Sequence, residues 1–187
     1  AIVIACNTAT AFAVNILRDR FNIPIIGMEP AVKPALEVTL NKMVGVLATS
    51  GTSKSAKFSA LLEMYSGDVK FFVQPCPGLV NAIERGSFDD AELFGLLEKY
   101  LANFKKNSVD TIVLGCTHFV YIKHLVKKIM GTDIKIVDTS EAVARQLRVK
   151  LDVFNLRANS SEPNEKMKLI LTKHKNIPQV IDQFLSG

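Results

Sequence analysis

The sequence predicts an α/β protein of two pseudo-symmetric lobes, each a parallel sheet flanked by helices, with the active site in the cleft between them. Short apolar runs rich in β-branched residues alternate with segments of helical spacing. The first run, at 2–4, recurs at 112–114, and a cysteine follows each of them, Cys6 and Cys116. Residues 22–27 likewise match 133–138. A repeat this long predicts two similar lobes, each with a thiol at the carboxyl end of a strand.

The first lobe is predicted to comprise residues 1–42 together with 139–187. Its elements are a strand at 2–5, a helix at 10–21, a strand at 23–26 and an apolar-spaced segment at 31–40. After the second lobe we expect a helix at 141–154, a polar linker at 155–165, a strand at 168–171 and a closing helix at 178–185. We expect the strand at 168–171 to extend the sheet of the first strand.

The second lobe is predicted to span residues 43–138. It begins with a strand at 44–48, a helix at 53–65 that Gly67 stops, a strand at 69–73 and a proline-rich turn at 75–78. A short helix at 79–84, a longer helix at 89–106, a strand at 111–114, a helix at 119–130 and a strand at 134–137 follow. Strands that alternate with helices in this way predict parallel sheets with right-handed crossovers.

The two lobes differ in how much chain precedes the cysteine strand. In the second lobe, two βα units come before that strand, whereas the first lobe opens within it at Ala1. If the lobes are alike, two βα units of about 30 residues each belong upstream of Ala1, and the chain is a truncated form of a longer protein. The alternative is a small first lobe built only from the residues present.

Composition and charge exclude several classes of protein. The chain has 187 residues, 48% of them apolar, which is enough for a sizeable core. Its longest apolar runs are far shorter than the ~20 residues of a membrane span, so no membrane association is predicted. Three cysteines without a leader sequence predict reduced thiols in the cytoplasm. The net charge is +5, but the basic residues are dispersed and predict no nucleic-acid partner.

The paired cysteines suggest a symmetrical reaction. A cysteine between a strand and a helix lies near backbone N–H groups and the positive end of the helix dipole, so we expect the pKa values of Cys6 and Cys116 to be lowered. Two such thiols on opposite sides of a cleft suit proton abstraction from one face of a carbon and proton delivery to the other. Such a reaction inverts a stereocentre without a cofactor. Either cysteine alone is equally well explained as a small buried hydrophobe, but the repeat favours chemistry.

Five motifs in chain order carry a resemblance to a known family. The motifs resemble those of the glutamate racemases, in the aspartate/glutamate racemase superfamily, and the resemblance covers the whole chain. They are ACNT at 5–8, GMEP at 27–30, ATSGTSKS at 48–55, PCPGLV at 75–80 and LGCTHF at 114–119. The resemblance implies a cofactor-independent, two-base isomerase that interconverts L- and D-glutamate for bacterial peptidoglycan synthesis. Glutamate is then the small-molecule partner, and the sequence leaves a homodimer open.

The resemblance also implies roles for individual residues. Cys6 and Cys116 are the two acid/base thiols. His118 assists Cys116, because an imidazole beside a thiol takes or returns its proton near neutral pH, and Glu84 matches the glutamate that lies near that histidine. The positions that match hydrogen-bonding contacts to the ammonium and carboxylate groups of the substrate are Asn7, Thr8, Thr49, Thr52 and Thr117.

Several of these residues have a structural explanation as well. Thr49 and Thr52 are residues that cap helices, and Glu84 could be a charge near a helix end. Cys76 has no counterpart in the other lobe, and we interpret it as structural. A zinc site is not predicted, because the cysteine and histidine spacings of typical zinc sites are missing. Pyridoxal phosphate is not predicted either, since no glycine-rich phosphate-binding turn is present.

Two motifs of the resembling family are absent from this chain. They are an amino-terminal Asp-Ser-Gly, whose aspartate partners the first thiol, and a Pro-Tyr-Gly loop, which holds the side-chain carboxylate. We therefore expect this chain to bind substrate weakly and to have little or no activity. Two alternatives stay open: a racemase of aspartate or another amino acid, and a non-catalytic module whose thiols form a redox switch or whose basic surface binds a partner.

Overall fold

Two parallel sheets flanked by helices make up the computed structural model, which describes residues 1–85, 91–158 and 170. The first sheet contains β1 (Ile2–Ile4) and β2 (Ile25–Gly27), which helix α1 (Asn7–Arg20) connects. Helix α2 (Val32–Val38) leads to the second sheet. The helix predicted at 178–185, most of the linker predicted at 155–165 and the strand predicted at 168–171, apart from residue 170, lie outside the described residues.

The second sheet has four parallel strands in the order β4-β3-β5-β6. The predicted alternation of strands and helices is confirmed along the described part of this half. The elements are β3 (Met43–Ala48), α3 (Ser50–Ser53), α4 (Ala56–Tyr65), β4 (Lys70–Pro75), α5 (Leu79–Glu84), α6 (Ala91–Lys106), β5 (Thr111–Gly115), a 3₁₀ helix (Thr117–Ile122), α7 (Lys123–Met130) and β6 (Lys135–Val137). Helix α8 (Ser140–Val153) follows β6 and contacts β2 of the first sheet.

The repeat seen in the sequence reappears in the pairing of the strands. Ile2 pairs with Ile25 in the first sheet, and their counterparts Ile112 and Ile136 pair in the second. Both pairs of strands are parallel and both are connected through a helix that begins just after a cysteine. The carboxyl ends of β1 and β5 are therefore equivalent positions in the two sheets.

Both faces of the second sheet are covered by apolar side chains. On one face, α6 buries residues at four-residue spacing, Leu93, Leu97 and Leu101, in a large cluster with β5 and α7. On the other face, α2 and α4 pack against the central strands β3 and β5. The lobe boundary between residues 42 and 43 stays a prediction, and α2, which lies on its first-lobe side, packs on the second sheet.

Two predicted helices differ from the structure. The helix predicted at 53–65 is two helices, because Thr49 caps α3 through the backbone N–H of Thr52 and Ser55 caps α4 through that of Phe58. The helix predicted at 119–130 begins as the 3₁₀ helix and becomes α7 only at Lys123. A 3₁₀ turn places residues three apart on the same side, and this brings the fully buried Phe119 and Ile122 to the core together.

The carboxylate of Asp110 anchors the connection between α2 and β3. It accepts hydrogen bonds from the Thr39 hydroxyl at 2.7 Å and from the backbone N–H groups of Leu40 at 2.6 Å and Asn41 at 2.9 Å. Burial acts to raise the pKa of Asp110, but these hydrogen bonds outweigh it, and the pKa lies below its ordinary value. The charged form of Asp110 therefore stabilises the folded chain.

We expect Asp110→Asn to lower the free energy of unfolding by about 1.5 kcal/mol at pH 7, because hydrogen bonds to a charged acceptor are lost. The difference from the unsubstituted chain should shrink as the pH falls through the depressed folded-state pKa, where the wild-type carboxyl becomes protonated. Urea unfolding at pH 7 and pH 3 measures both effects. Asp68→Asn is the matched control: Asp68 pairs with Lys42 at the surface and its replacement should leave the midpoint unchanged.

Within the part of the chain that the structure describes, no helix is both long enough and apolar enough to cross a lipid bilayer.

Candidate active site

The first thiol lies where β1 passes into α1. Cys6 is the N-cap residue of α1, with extended backbone, and its Sγ accepts a hydrogen bond from the Ala9 N–H at 3.5 Å. This capping interaction starts the helix at Asn7, three residues before the predicted start. The thiol is half-buried and lies beside the N–H groups of the first helical turn.

The second thiol lies at the equivalent position after β5 but in a different environment. Cys116 is buried, with 8% of its surface exposed, and its Sγ is 3.9 Å from Nδ1 of His118. The other ring nitrogen of His118, Nε2, is 3.0 Å from Oε1 of Glu84. The structure thus brings Cys116, His118 and Glu84 together in one chain of contacts.

The turn before α5 positions Glu84. Gly78 adopts φ 81°, a left-handed conformation that favours glycine, immediately before the helix begins at Leu79. The hydroxyl of Tyr100 on α6 donates a 2.6 Å hydrogen bond to the carbonyl of Pro77. Glu84 is the last residue of this short helix, so the turn sets where the helix that carries its carboxylate begins.

The contact with Glu84 determines what His118 can do. A carboxylate only accepts hydrogen bonds, so Nε2 of His118 carries the proton that it donates to Glu84. In the neutral ring, Nδ1 then has a free lone pair directed toward the Cys116 sulfur. This contact brings Nδ1 within reach of the thiol, and the assisting role of His118 stays a prediction.

The expected lowering of the Cys116 pKa is wrong. Burial raises the pKa of the Cys116 thiol above its ordinary value, and the nearby charges of Cys6 and Glu84 act in the same direction. The backbone N–H groups of His118 and Phe119 lower it, but they do not outweigh burial. Cys6 is thus one of the groups that act to raise the pKa of Cys116.

We expect alkylation of Cys116 by iodoacetamide to be slow at pH 7 and to accelerate as the pH rises through and beyond 9, because the thiolate is the reactive form. Cys76 is the internal control. Burial raises its pKa to about 12, so it should stay unlabelled over the same range. Peptide mass spectrometry after timed labelling measures each cysteine separately. A Cys116 labelling rate already at its plateau at pH 7 would contradict the raised pKa.

Three of the predicted substrate-binding residues form a ring of hydroxyl groups. Oγ1 of Thr8 lies 2.9 Å from Oγ1 of Thr49 and 3.0 Å from Oγ1 of Thr52, and Thr49 donates to Thr52 at 3.1 Å. Thr8 is in α1, which connects the two strands of the first sheet. Thr49 and Thr52 are at the start of α3, which follows β3 of the second sheet. The ring therefore joins the two halves of the structure.

The other two predicted binding residues lie next to the cysteines. Asn7 is 5% exposed, and its Oδ1 is buried without a hydrogen-bond partner among the described residues. It lines a small cavity together with Thr10 and Thr52. Thr117 is half-buried at the first residue of the 3₁₀ helix, directly after Cys116. Contact of these residues with a substrate stays a prediction.

Sequence reasoning missed Thr10, which holds the first sheet and α1 together. Its hydroxyl donates to the Ile4 carbonyl at 3.3 Å and accepts from the Met28 N–H at 2.9 Å. A Cβ at Gly27 would lie 2.5 Å from Cγ2 of Thr10, so glycine is required at the end of β2. The prediction began this helix at residue 10, whereas α1 begins at Asn7. Thr10 therefore lies within the first turn of the helix and not at its start.

Among the described residues, no cluster of three or more histidine, cysteine or acidic side chains is placed to hold a metal ion.

The parallel α/β architecture thus carries repeated strand-end thiols, one of them backed by a histidine and a glutamate, and these are side chains that acid/base chemistry uses. A family model described as Asp/Glu/Hydantoin racemase matches residues 1–147. The chain belongs to this family.

Curated relatives and solved structures agree with that assignment. Glutamate racemase of Pseudomonas paraeruginosa is 49% identical over 160 residues, which are 85% of this chain and 60% of the relative. The structure of Escherichia coli glutamate racemase with L-glutamate and the activator UDP-MurNAc-Ala has a TM-score of 0.75 at 28% identity, covering 87% of this chain and 61% of that one. The Francisella tularensis enzyme with D-glutamate has a TM-score of 0.71 at 29% identity, covering 87% and 60%. The chain spans about 60% of the length of the curated relatives that it matches.

Proposed function

We propose that this chain contributes the two acid/base thiols, Cys6 and Cys116, of a cofactor-independent glutamate racemase. The observation that carries the proposal is the placement of Cys6 and Cys116 at equivalent strand ends of the two sheets, with His118 and Glu84 in a chain of contacts behind Cys116. Glutamate as substrate is supported by the names of the relatives and by the glutamate in two of the similar structures.

The proposed reaction removes one proton from the α-carbon of the substrate and adds another proton to its opposite face. The thiolate of one cysteine takes the α-proton and becomes a thiol, and the electron pair of the broken C–H bond passes into the α-carboxylate as an enediolate. The thiol of the other cysteine donates its proton to the opposite face of the α-carbon and becomes a thiolate. The raised pKa of Cys116 makes it the resting proton donor, with His118 and Glu84 beside it to restore its proton.

The same proposal assigns the biological setting. D-Glutamate from this reaction serves bacterial peptidoglycan synthesis in the cytoplasm, and the protein works as a monomer or a homodimer without a cofactor or a metal. Asn7 directly follows Cys6 in the sequence, and Thr117 directly follows Cys116. Both residues contact the ammonium and carboxylate groups of the substrate.

Thiol protection and α-proton exchange test the proposal in the 187-residue chain. We expect glutamate to protect Cys6 and Cys116 from iodoacetamide while aspartate protects them less. Long incubation of L-glutamate in D₂O should produce deuterated D-glutamate, detected by proton NMR and chiral chromatography, at a rate above that of the Cys6→Ser/Cys116→Ser double variant. Glutamate that protects neither thiol and exchanges no faster than with the double variant would refute it. Stronger protection by aspartate would support the aspartate alternative, and a disulfide between the thiols would support the redox module.

A further inference from the structure

A groove with a volume of about 390 Å³ lies along the outer edge of the second sheet. β6 is the last strand in the order β4-β3-β5-β6, and no other strand of the described chain pairs with its outer side. Helix α7 borders the groove from one face of the sheet, and the end of α2 borders it from the other. We call it the edge groove; it is lined by Val38, Lys123, Lys127, Thr132 and residues 134–137.

One residue of β6 has backbone groups that the sheet does not use. The N–H of Lys135 donates to the Asp110 carbonyl at 2.9 Å, so the backbone groups of Lys135 face β5. Successive residues of a strand direct their N–H and C=O groups to opposite sides, so those of Val137 also face β5 and those of Ile136 face outward. The edge groove therefore offers one N–H donor and one C=O acceptor to another strand.

The edge groove also carries positive charge without a counter-ion. Lys127 and Lys135 are exposed, and neither forms an ion pair with a described residue. The third lysine, Lys123, is neutralised by its pair with Asp138. No residue that lines the groove is acidic. An occupant with carboxylates is therefore favoured over a neutral or cationic one.

The same charges decide between two strands that could fill the edge. A second copy of this chain would place its lysines against Lys127 and Lys135, and natural sheets use such edge lysines to prevent pairing between copies. A strand that carries carboxylates meets the lysines with opposite charge instead. Apolar side chains on that strand would cover Ile136 and Val137, which are half-buried, and Val38, which is exposed.

We propose that the edge groove binds an extended acidic segment of a partner protein, which lies beside β6 as a fifth strand of the second sheet. Hydrogen bonds to the backbone of Ile136 set its register, and its carboxylates pair with Lys127 and Lys135. No predicted site residue lines the groove, so this inference does not rest on the proposed function.

Fluorescence anisotropy with a labelled eight-residue peptide of alternating glutamate and valine tests the groove in the 187-residue chain. We expect saturable binding that Lys127→Glu/Lys135→Glu weakens about tenfold, because two attractive charge pairs become repulsive. Lys99→Glu/Lys105→Glu is the matched control. Both of these lysines are exposed on α6 and the net charge changes equally, so the affinity should stay within about twofold.

A second peptide separates an added strand from simple charge attraction. N-methyl groups on every residue remove the N–H donors of the peptide but keep its carboxylates, and we expect this change to weaken binding about tenfold. The Ile136 amide of the unsubstituted chain should exchange with D₂O about tenfold more slowly when the first peptide is bound, because its N–H then has an acceptor. Nuclear magnetic resonance measures this exchange and requires no variant to fold.

Three results would overturn the proposal. Absence of saturable binding would mean that the lysines of the edge groove only keep copies of the chain apart. Binding that resists N-methylation, leaves the Ile136 amide unprotected or is weakened equally by both lysine pairs would reflect charge attraction without an added strand. Tighter binding of a single-stranded oligonucleotide with the same charge as the peptide would assign the groove to nucleic acid instead.

Discussion

Replacing Cys116 by serine is expected to slow the inversion of glutamate by at least ~100-fold relative to the unsubstituted chain, and Cys6→Ser is expected to do the same. A serine hydroxyl holds its proton far more tightly than a thiol, so it can neither take the α-proton nor exchange protons with His118 on the same timescale. Chiral chromatography of the product from each enantiomer measures inversion. Cys76→Ala is the matched control and should keep the rate, because Cys76 is buried with its sulfur hydrogen-bonded to the Gln74 carbonyl.

The two serine variants should differ in one respect that inversion alone does not show. Each keeps one thiol on one side of the substrate, and that thiol can still remove and return a proton on its own face. Residual deuterium exchange without inversion is therefore expected for one enantiomer with Cys6→Ser and for the opposite enantiomer with Cys116→Ser. If both variants exchanged the same enantiomer, or if either still inverted glutamate at the wild-type rate, the assignment of the two thiols to opposite faces would be wrong.

Gly115→Ala is expected to lower the free energy of unfolding by about 2 to 3 kcal/mol. A Cβ at this position would lie 2.6 Å from the backbone oxygen of Leu47. Leu47 is in β3, which pairs with β4 on one side and with β5 on the other, so its backbone has little freedom to move away. Urea unfolding followed by circular dichroism measures the loss. The same substitution should shift Cys116 and increase its rate of alkylation at pH 8.

Gly95→Ala is the control for Gly115→Ala. Apart from its chain neighbours and the nearby backbone of its own helix, no atom lies within 4 Å of a Cβ built on Gly95, which is in the interior of α6. Alanine there should therefore stabilise the chain by roughly 0.5 to 1 kcal/mol. Opposite signs for the two substitutions are the expected result. A Gly115→Ala variant as stable as the unsubstituted chain would show that β3 and β5 can separate, and that the close approach at Gly115 does not constrain the position of Cys116.

The strands and the repeat were the most predictable part of the fold. β-Branched apolar runs bounded by turn residues identify a buried parallel strand locally, and β3 and β5 begin and end within one residue of the predicted positions. Helix starts were less predictable, because several adjacent residues compete for the same cap. Between Thr49 and Ser55 the chain offers several hydroxyl side chains, and only tertiary packing decides that Thr49 and Ser55 both act as caps.

In the candidate site, residue identity was more predictable than environment. The sequence identified Cys116, His118 and Glu84, and the structure places them in contact. The direction of the Cys116 pKa shift was wrong, because a local rule about helix N-termini takes no account of burial by residues that are distant in the sequence. The threonine ring was not predicted for the same reason, since Thr8 and Thr49 are 41 positions apart.

The unequal surroundings of the two sulfur atoms have a consequence for kinetics. Mirror-image amino acids have the same free energy in water, so their equilibrium ratio is one at every pH, whatever the environment of Cys6 and Cys116. The ratio kcat/KM must then be identical for the forward and reverse directions. Cys6 is half-buried and Cys116 is buried, so kcat and KM can each differ between the two directions. Because their ratio is fixed, the enantiomer with the larger kcat must also have the proportionally larger KM.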